Sequence, residues 1–308
     1  MKQIIKRIVG MIPVLIGVVL LIFLMLRVVP GDPVLTLLGE HYNEATIERL
    51  TKAMGLDQPM WKQFVTYITG MFRGDLGMSY KYSRPVTEMI LEAFPYTLKL
   101  AVMGVIFAWA VGIVSGTIAA IRQNRLLDRL FMTTALLGVS MPVFMTSLFL
   151  QYFLAYQLKW FSITSTNATF AEMILPAVAL GWNSAGSIAR MTRSSLLEVM
   201  QADYIDTARA KGLRKAAVIT KHALKNSMLP VITMMALQLA SMLSGAVITE
   251  SVFALPGIGR LATTAITNRD MPVLQGTVLF TTVLVILGNL AADLLYDVMD
   301  PRIRKGGN

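Results

Sequence analysis

The stretch that decides how this chain is read is Arg190–Pro230, RMTRSSLLEVMQADYIDTARAKGLRKAAVITKHALKNSMLP. It sets eight Lys or Arg against three acids and lies between long apolar runs. Helix-forming residues dominate it, Gly212 interrupts them, and Pro230 stands where the next apolar run begins, a pattern that predicts short surface helices. Such helices, held at the edge of a hydrophobic body, suit the docking of another protein.

Outward from that loop, composition points to a membrane protein. Of 308 residues, 55% are hydrophobic and 15% charged, and the mean hydropathy is +0.61, far from ordinary soluble usage. Runs long enough to span a bilayer core fall at residues 8–29, 97–121, 130–157, 173–189, 231–249 and 273–299. The fourth is interrupted by Pro176, Gly181, Asn183, Ser184, Gly186 and Ser187, which predicts a helix packed against others or facing a polar pathway. The expected fold is an all-α integral membrane protein with six transmembrane helices. Its expected divisions are a tip and first helix (1–29), an extracytoplasmic lobe (30–96), a five-helix core (97–300) that includes the loop 190–230, and a tail (301–308).

Orientation follows from the distribution of Lys and Arg. Lys2, Lys6 and Arg7 at the tip, Arg122, Arg125 and Arg129 between the second and third runs, the quoted loop, and Arg302, Arg304 and Lys305 in the tail share one side if there are six spans. Residues 31–96 hold six basic and eight acidic residues. Both termini are therefore expected in the cytoplasm. The net charge of +10 reads as positive-inside topology and contact with lipid headgroups, since no basic patch with stacking aromatics suggests nucleic acid. The first run is longer than a signal-peptide core and no small-residue cleavage site precedes VVPGDP, so it is expected to stay as a span. Within 30–96, Glu44–Met54 is amphipathic and ends at Gly55, while 59–72 carries Trp61, Phe64, Val65, Ile68 and Met71 at helical spacing. That lobe either packs over the spans or meets a delivering protein.

Catalytic chemistry finds little support. No G-x-x-x-x-G-K-[ST] loop exists to cradle nucleotide phosphates, so ATP hydrolysis is not expected of this chain. The two histidines, His41 and His222, fall on opposite expected faces and outside any metal-binding spacing. With zero cysteines, thiolate sites and disulfides are excluded. Neither a metal nor a cofactor is expected, and the 21 methionines read as helix-packing filler. Ser115 in GIVSGT reads as a small helix-contact residue. Asn289, Asp293 and Asp297 recur every four residues along one face of the last run. An ionisable residue there is a pathway candidate, set against a polar stripe that packs near the helix end.

Several blocks together resemble the ABC importer permeases of the dipeptide, oligopeptide and nickel branch. Asp206-Thr207-Ala208, Gly212 and Leu229-Pro230 are similar to the EAA–Gly–Leu-Pro loop of those proteins. RIVGMIPVLIGVVLLIFLMLRVVPGDP from Arg7, GLDQP, GDLGMS, RMTRSSLLEVM, LPGIGR, RDMPV and DPRIR extend the likeness over nearly the whole chain. Within the branch the chain resembles the first of two paralogous permease subunits, the one with the larger outer lobe. Asp-Thr-Ala departs from EAA, and the Gly212–Pro230 interval is longer than in the general motif, as in the peptide branch.

The resemblance implies an inner-membrane subunit of a bacterial or archaeal importer, working with a second permease, two cytoplasmic ABC ATPases and an extracytoplasmic solute-binding protein. It implies that Tyr204, Asp206, Thr207, Ala208, Arg209, Ala210, Lys211 and Gly212 form a coupling helix, with Ala208 against the ATPase and Asp206 supplying a helix-start charge or an interface hydrogen bond. Pro256, Gly257, Gly259 and Arg260 would shape an outer gate or docking loop. Asn183, Ser187, Asn289 and Asp293 are the pathway candidates. A stand-alone secondary carrier or channel is the competing reading, and it would call for inverted repeats and several midplane charges. An intramembrane hydrolase fails for want of a histidine partner. The substrate stays open among dipeptides, longer peptides, glutathione and nickel chelates.

Overall fold

The computed structural model describes residues 2–28, 34, 44–53 and 55–299. His41, Asp300 and the tail arginines lie outside them, and the side chains of 291–299 are likewise outside the description. Helices make up the described chain: α1 (Lys2–Val28), α2 (Glu44–Ala53), α3 (Met60–Phe72), α4 (Val86–Ile121), α5 (Leu126–Ser140), α6 (Val143–Leu150, continued by a π-helical turn Gln151–Gln157), α7 (Phe170–Val199), α8 (Asp203–Ala210), α9 (Leu224–Phe253), α10 (Ile258–Asn268) and α11 (Met271–Met299). Lys215–Ala217 and a π-helical turn Val218–Ala223 lead into α9. The only extended pairing among the described residues is an isolated bridge between Met78 and Pro85.

All six apolar runs fall on helices, but the third is not one rod. At Met141–Pro142 the chain turns by 116° between α5 and α6. Proline removes the N–H that would bond Gly138 O and pushes the residue before it out of the helical region, and Met141 sits at φ −87°, ψ 129°. α4 starts well before residue 97. Its 36 residues reach roughly 54 Å at 1.5 Å per residue, more than a hydrocarbon core requires. Among the described residues, α4 and the Met271–Leu290 part of α11 are long and apolar enough to cross a membrane, and the bent α5–α6 pair makes a third if it is one span.

The described residues form two compact units, one from Met1–Thr97 with Pro256–Ile286, the other from Leu98–Leu255 with Leu287 onward. In the first, Val86, Met89, Ile90 and Ala93 of α4 pack on Ile258 and Ala265 of α10 and Val273 of α11. Gly276 admits this approach, since a Cβ there would lie 2.6 Å from Val86. Phe23 of α1 meets Phe64 of α3 edge to face at 5.1 Å.

In the second unit α7 is the central element. Fifteen of its residues are buried, which accounts for its small and polar composition: Gly181 approaches the Gly104 carbonyl of α4, and Gly186 the Ala135 carbonyl of α5, closely enough that a Cβ would fall 2.6 and 2.5 Å from those oxygens. Thr169 caps its start by accepting from the Glu172 N–H at 3.4 Å. The expectation of a packed fourth helix matches this arrangement.

Candidate functional site

The polar loop builds a short, bounded helix. α8 begins at Asp203, one residue before the expected start, and ends at Ala210, so Lys211 and Gly212 form its terminating turn instead of its last helical positions. Asp203 and Asp206 occupy the first turn, where carboxylates favour the helix dipole. Arg209 Nη1 donates to Asp206 Oδ1 at 2.9 Å on the exposed surface. Gly212 has φ +77° and open space where a Cβ would stand. Its N–H donates to Arg209 O at 3.0 Å, closing the helix through the left-handed conformation that glycine adopts at no steric cost.

One orientation differs from the sequence reading. Ala208, expected against a partner, is buried together with Ile205 in this chain's own cluster with Leu196, Ala120, Val218 and Ala223. The reason is periodicity: 205 and 208 lie three apart on one face, and that apolar face is covered from within. Exposed are Tyr204, Asp206, Thr207, Arg209, Ala210 and Lys211. The Tyr204 hydroxyl accepts from Asn226 Nδ2 at 3.1 Å, tying α8 to the start of α9.

In the same unit, the α5–α6 break opens a cavity of about 450 Å³ lined by Ser140, Met141, Asn183, Ser184, Gln238 and Met242 among others. Asn183 from α7 donates Nδ2 to Gly138 O at 3.3 Å and Val139 O at 3.1 Å. These are carbonyls that the break deprives of helical donors, so Asn183 caps α5 from a neighbouring helix. Ser184 Oγ donates to Gln238 Oε1 at 3.0 Å. The cavity lining carries no charged side chain. Of the pathway candidates only Asn183 reaches it: Ser187 is half-buried elsewhere on α7, Asn289 is exposed on α11, and the Asp293 side chain is outside the description.

LPGIGR straddles two helices. α9 ends with Ala254 at φ +56°, Pro256 and Gly257 make the connection, and Gly259 and Arg260 already belong to the first turn of α10. The expected tight loop is therefore shorter, with Gly257 and Gly259 buried. Ile258 N donates to Thr97 Oγ1 at 2.9 Å.

Sequence reading missed several partners. Asp128, almost fully buried, receives two donors of the Arg193 guanidinium at 2.6 and 2.8 Å; Arg193 enters the sequence reading only as one of the loop's eight basic residues, and Asp128 not at all. Asp270 of RDMPV is buried and accepts from Ser79 Oγ and from the N–H groups of Tyr80 and Lys81 at 3.2 and 3.3 Å, joining two blocks far apart in sequence. Glu250, inside α9, is fully buried. A lone acid among arginines, or within an apolar run, is the signal that could have found them.

The chain thus joins long apolar helices to a short polar-loop helix that Gly212 terminates. The chain belongs to the family described as binding-protein-dependent transport system inner membrane component, whose profile matches residues 112–305, and the N-terminal profile of the same family matches residues 1–101. It is 42% identical to the dipeptide transport system permease protein DppB of Escherichia coli (strain K12), covering 99% of both chains. It is 40% identical to the glutathione transport system permease protein GsiC of Shigella flexneri serotype 5b (strain 8401), again over 99% of both. Among solved structures, an inward-facing form of the MetNI methionine ABC transporter shares the fold, with TM-score 0.57 and 18% identity over 69% of this chain and 96% of that one. The protein is thus a permease of a binding-protein-dependent ABC importer, and the stand-alone carrier reading is set aside.

Proposed function

We propose that this permease imports dipeptides or other short peptides, forms half of the pathway beside a paralogous second permease, and engages a cytoplasmic ATPase through α8. The substrate class is supported by the names of the full-length relatives, one a dipeptide and one a glutathione permease, both short peptidic solutes. The observation that carries the coupling role is the geometry of α8: an eight-residue helix stopped by Gly212, apolar face inward, with a polar surface left for a partner. A short helix so bounded transmits rigid-body motion.

In this reading the chain crosses the membrane six times with both termini cytoplasmic, the bent α5–α6 pair counting as one span. The cavity beside Asn183 and Gln238 lies on the solute pathway. Its uncharged amide and hydroxyl lining suits a peptide backbone and does not select the charge of the side chains carried. The lobe around α2 and α3 receives the solute-binding protein, and the α9–α10 connection at Pro256–Gly257 belongs to the outer gate.

Two measurements test this. Cysteines placed at Gln58 or Asn167 in the naturally cysteine-free chain should react with impermeant reagent in intact cells, and one at Gln201 only after permeabilisation; external labelling at Gln201 overturns the orientation. Uptake of a labelled dipeptide by the reconstituted complex should be competed by unlabelled dipeptides, and transport without binding protein or ATP overturns the importer mechanism proposed for this chain.

A further inference from the structure

We propose that α5 and α7 move as one rigid lever, locked at one end by Asp128–Arg193 and at the other by Asn183, which carries displacement of α8 to the Met141–Pro142 break beside the cavity. This rests on the coupling role of α8 proposed above. Asp128 and Arg193 are positioning residues in it.

Arg193 offers Nε to Asp128 Oδ1 and Nη2 to Asp128 Oδ2, a planar fork that fixes orientation as well as distance. Asn124 N–H adds a third donor to Oδ2 at 2.8 Å. Between the two locks the helices have no slack. A Cβ at Gly138 would fall 2.4 Å from Trp182 Cδ1, and one at Gly186 2.5 Å from Ala135 O, so rotation or sliding of one helix on the other meets atoms at once. At the far end the Asn183 amide grips the last carbonyls of α5. α7 in turn runs into α8 through only Met200, Gln201 and Ala202, whose N–H groups bond back to Leu196, Glu198 and Val199. Ile205 and Ala208 seat α8 on Leu196 of α7. A push on α8 therefore reaches α7 directly, and α5 follows because the two cannot part.

The Asp128–Arg193 lock is not required for burial alone. An apolar pair of similar volume often replaces a buried ion pair without loss of stability, and this separates positioning from mere packing. The test is the double variant Asp128→Leu/Arg193→Met in the complete reconstituted importer. Melting temperature and co-purification of the ATPases should match the native complex, while substrate accumulated per ATP hydrolysed falls about tenfold, the scale of a typical coupling free energy. Arg193→Lys, which keeps the charge and loses the fork, should lie between. A native transport-to-hydrolysis ratio in the double variant overturns the lever. On the otherwise native chain, nitroxide labels at exposed Leu126 and Arg190 should hold one distance with and without ATP; a distance that changes with nucleotide overturns it as well, even if the double variant fails to assemble. Gly212→Val separates the two ideas. If it stays fully coupled, the α8 reading falls and the lever with it; if it uncouples while the double variant does not, the lever alone falls.

Discussion

Two short amphipathic helices, α8 and α3, look alike in sequence and end in opposite situations. α8 buries its apolar face: Ile205 is 0% and Ala208 6% exposed. α3 buries no residue, and Trp61, Val65 and Phe72, which share one face by helical spacing, are 68%, 50% and 74% exposed. Periodicity says that a face is apolar. What covers it depends on which elements the rest of the chain brings near, and α8 has α7 and the turn before α9 beside it. Among the described residues nothing covers the α3 face.

The largest effect expected from breaking this contrast is at Ile205. Ile205→Asp would put an unpaired carboxylate into a fully buried site, costing on the order of 3 kcal/mol or more, and should abolish recovery of a monodisperse complex. Trp61→Asp should be tolerated to within about 0.5 kcal/mol; an equal loss at both sites would mean that the α3 face is covered after all. Ala208→Trp comes next. Overpacking the cluster under α8 should cost about 2 kcal/mol and lower the melting temperature, whereas a purely partner-facing Ala208 would leave it unchanged and lose only ATPase binding.

Gly212→Val follows. With nothing for the side chain to strike, only the left-handed backbone resists, at about 1 kcal/mol. Membrane insertion should persist, and substrate-stimulated ATP hydrolysis should drop; unchanged stimulation counts against a coupling role for the loop. The smallest effect concerns Tyr67 on α3, whose hydroxyl is buried with no hydrogen-bond partner among the described residues. Burial pushes its pKa up to about 12 from 10.0. The folded state thus holds the proton more tightly, a contribution fully present below pH 10 and lost as pH rises towards 12. Tyr67→Phe, which removes that buried, unpartnered hydroxyl, should raise the melting temperature slightly at neutral pH and flatten its fall above pH 10; an identical alkaline fall in both proteins would rule out Tyr67 as its source.

Much of the fold is legible along the chain because the signals are local. Each apolar run falls on a helix, since span length and hydropathy are properties of contiguous residues. α2 and α3 lie within a residue or two of where their spacing and Gly55 put them, and Gly212 takes the positive φ that a helix-ending glycine implies. The bend at Pro142 escaped notice because hydropathy is blind to direction. An apolar run reads the same whether straight or folded by 116°.

What the sequence determined by itself was a helical membrane protein with a basic, glycine-terminated loop helix, legible because composition, periodicity and glycine or proline punctuation act over a few residues; its likeness to the permeases rested on the motif blocks from Arg7 to DPRIR. Only the tertiary structure decided which side of α8 is covered, that Asn183 caps α5, and that Asp128 and Asp270 find partners 65 and 191 positions away. Those outcomes turn on a buried carboxylate or carbonyl needing a donor. Which donor arrives is set by helix packing, and no local pattern encodes it.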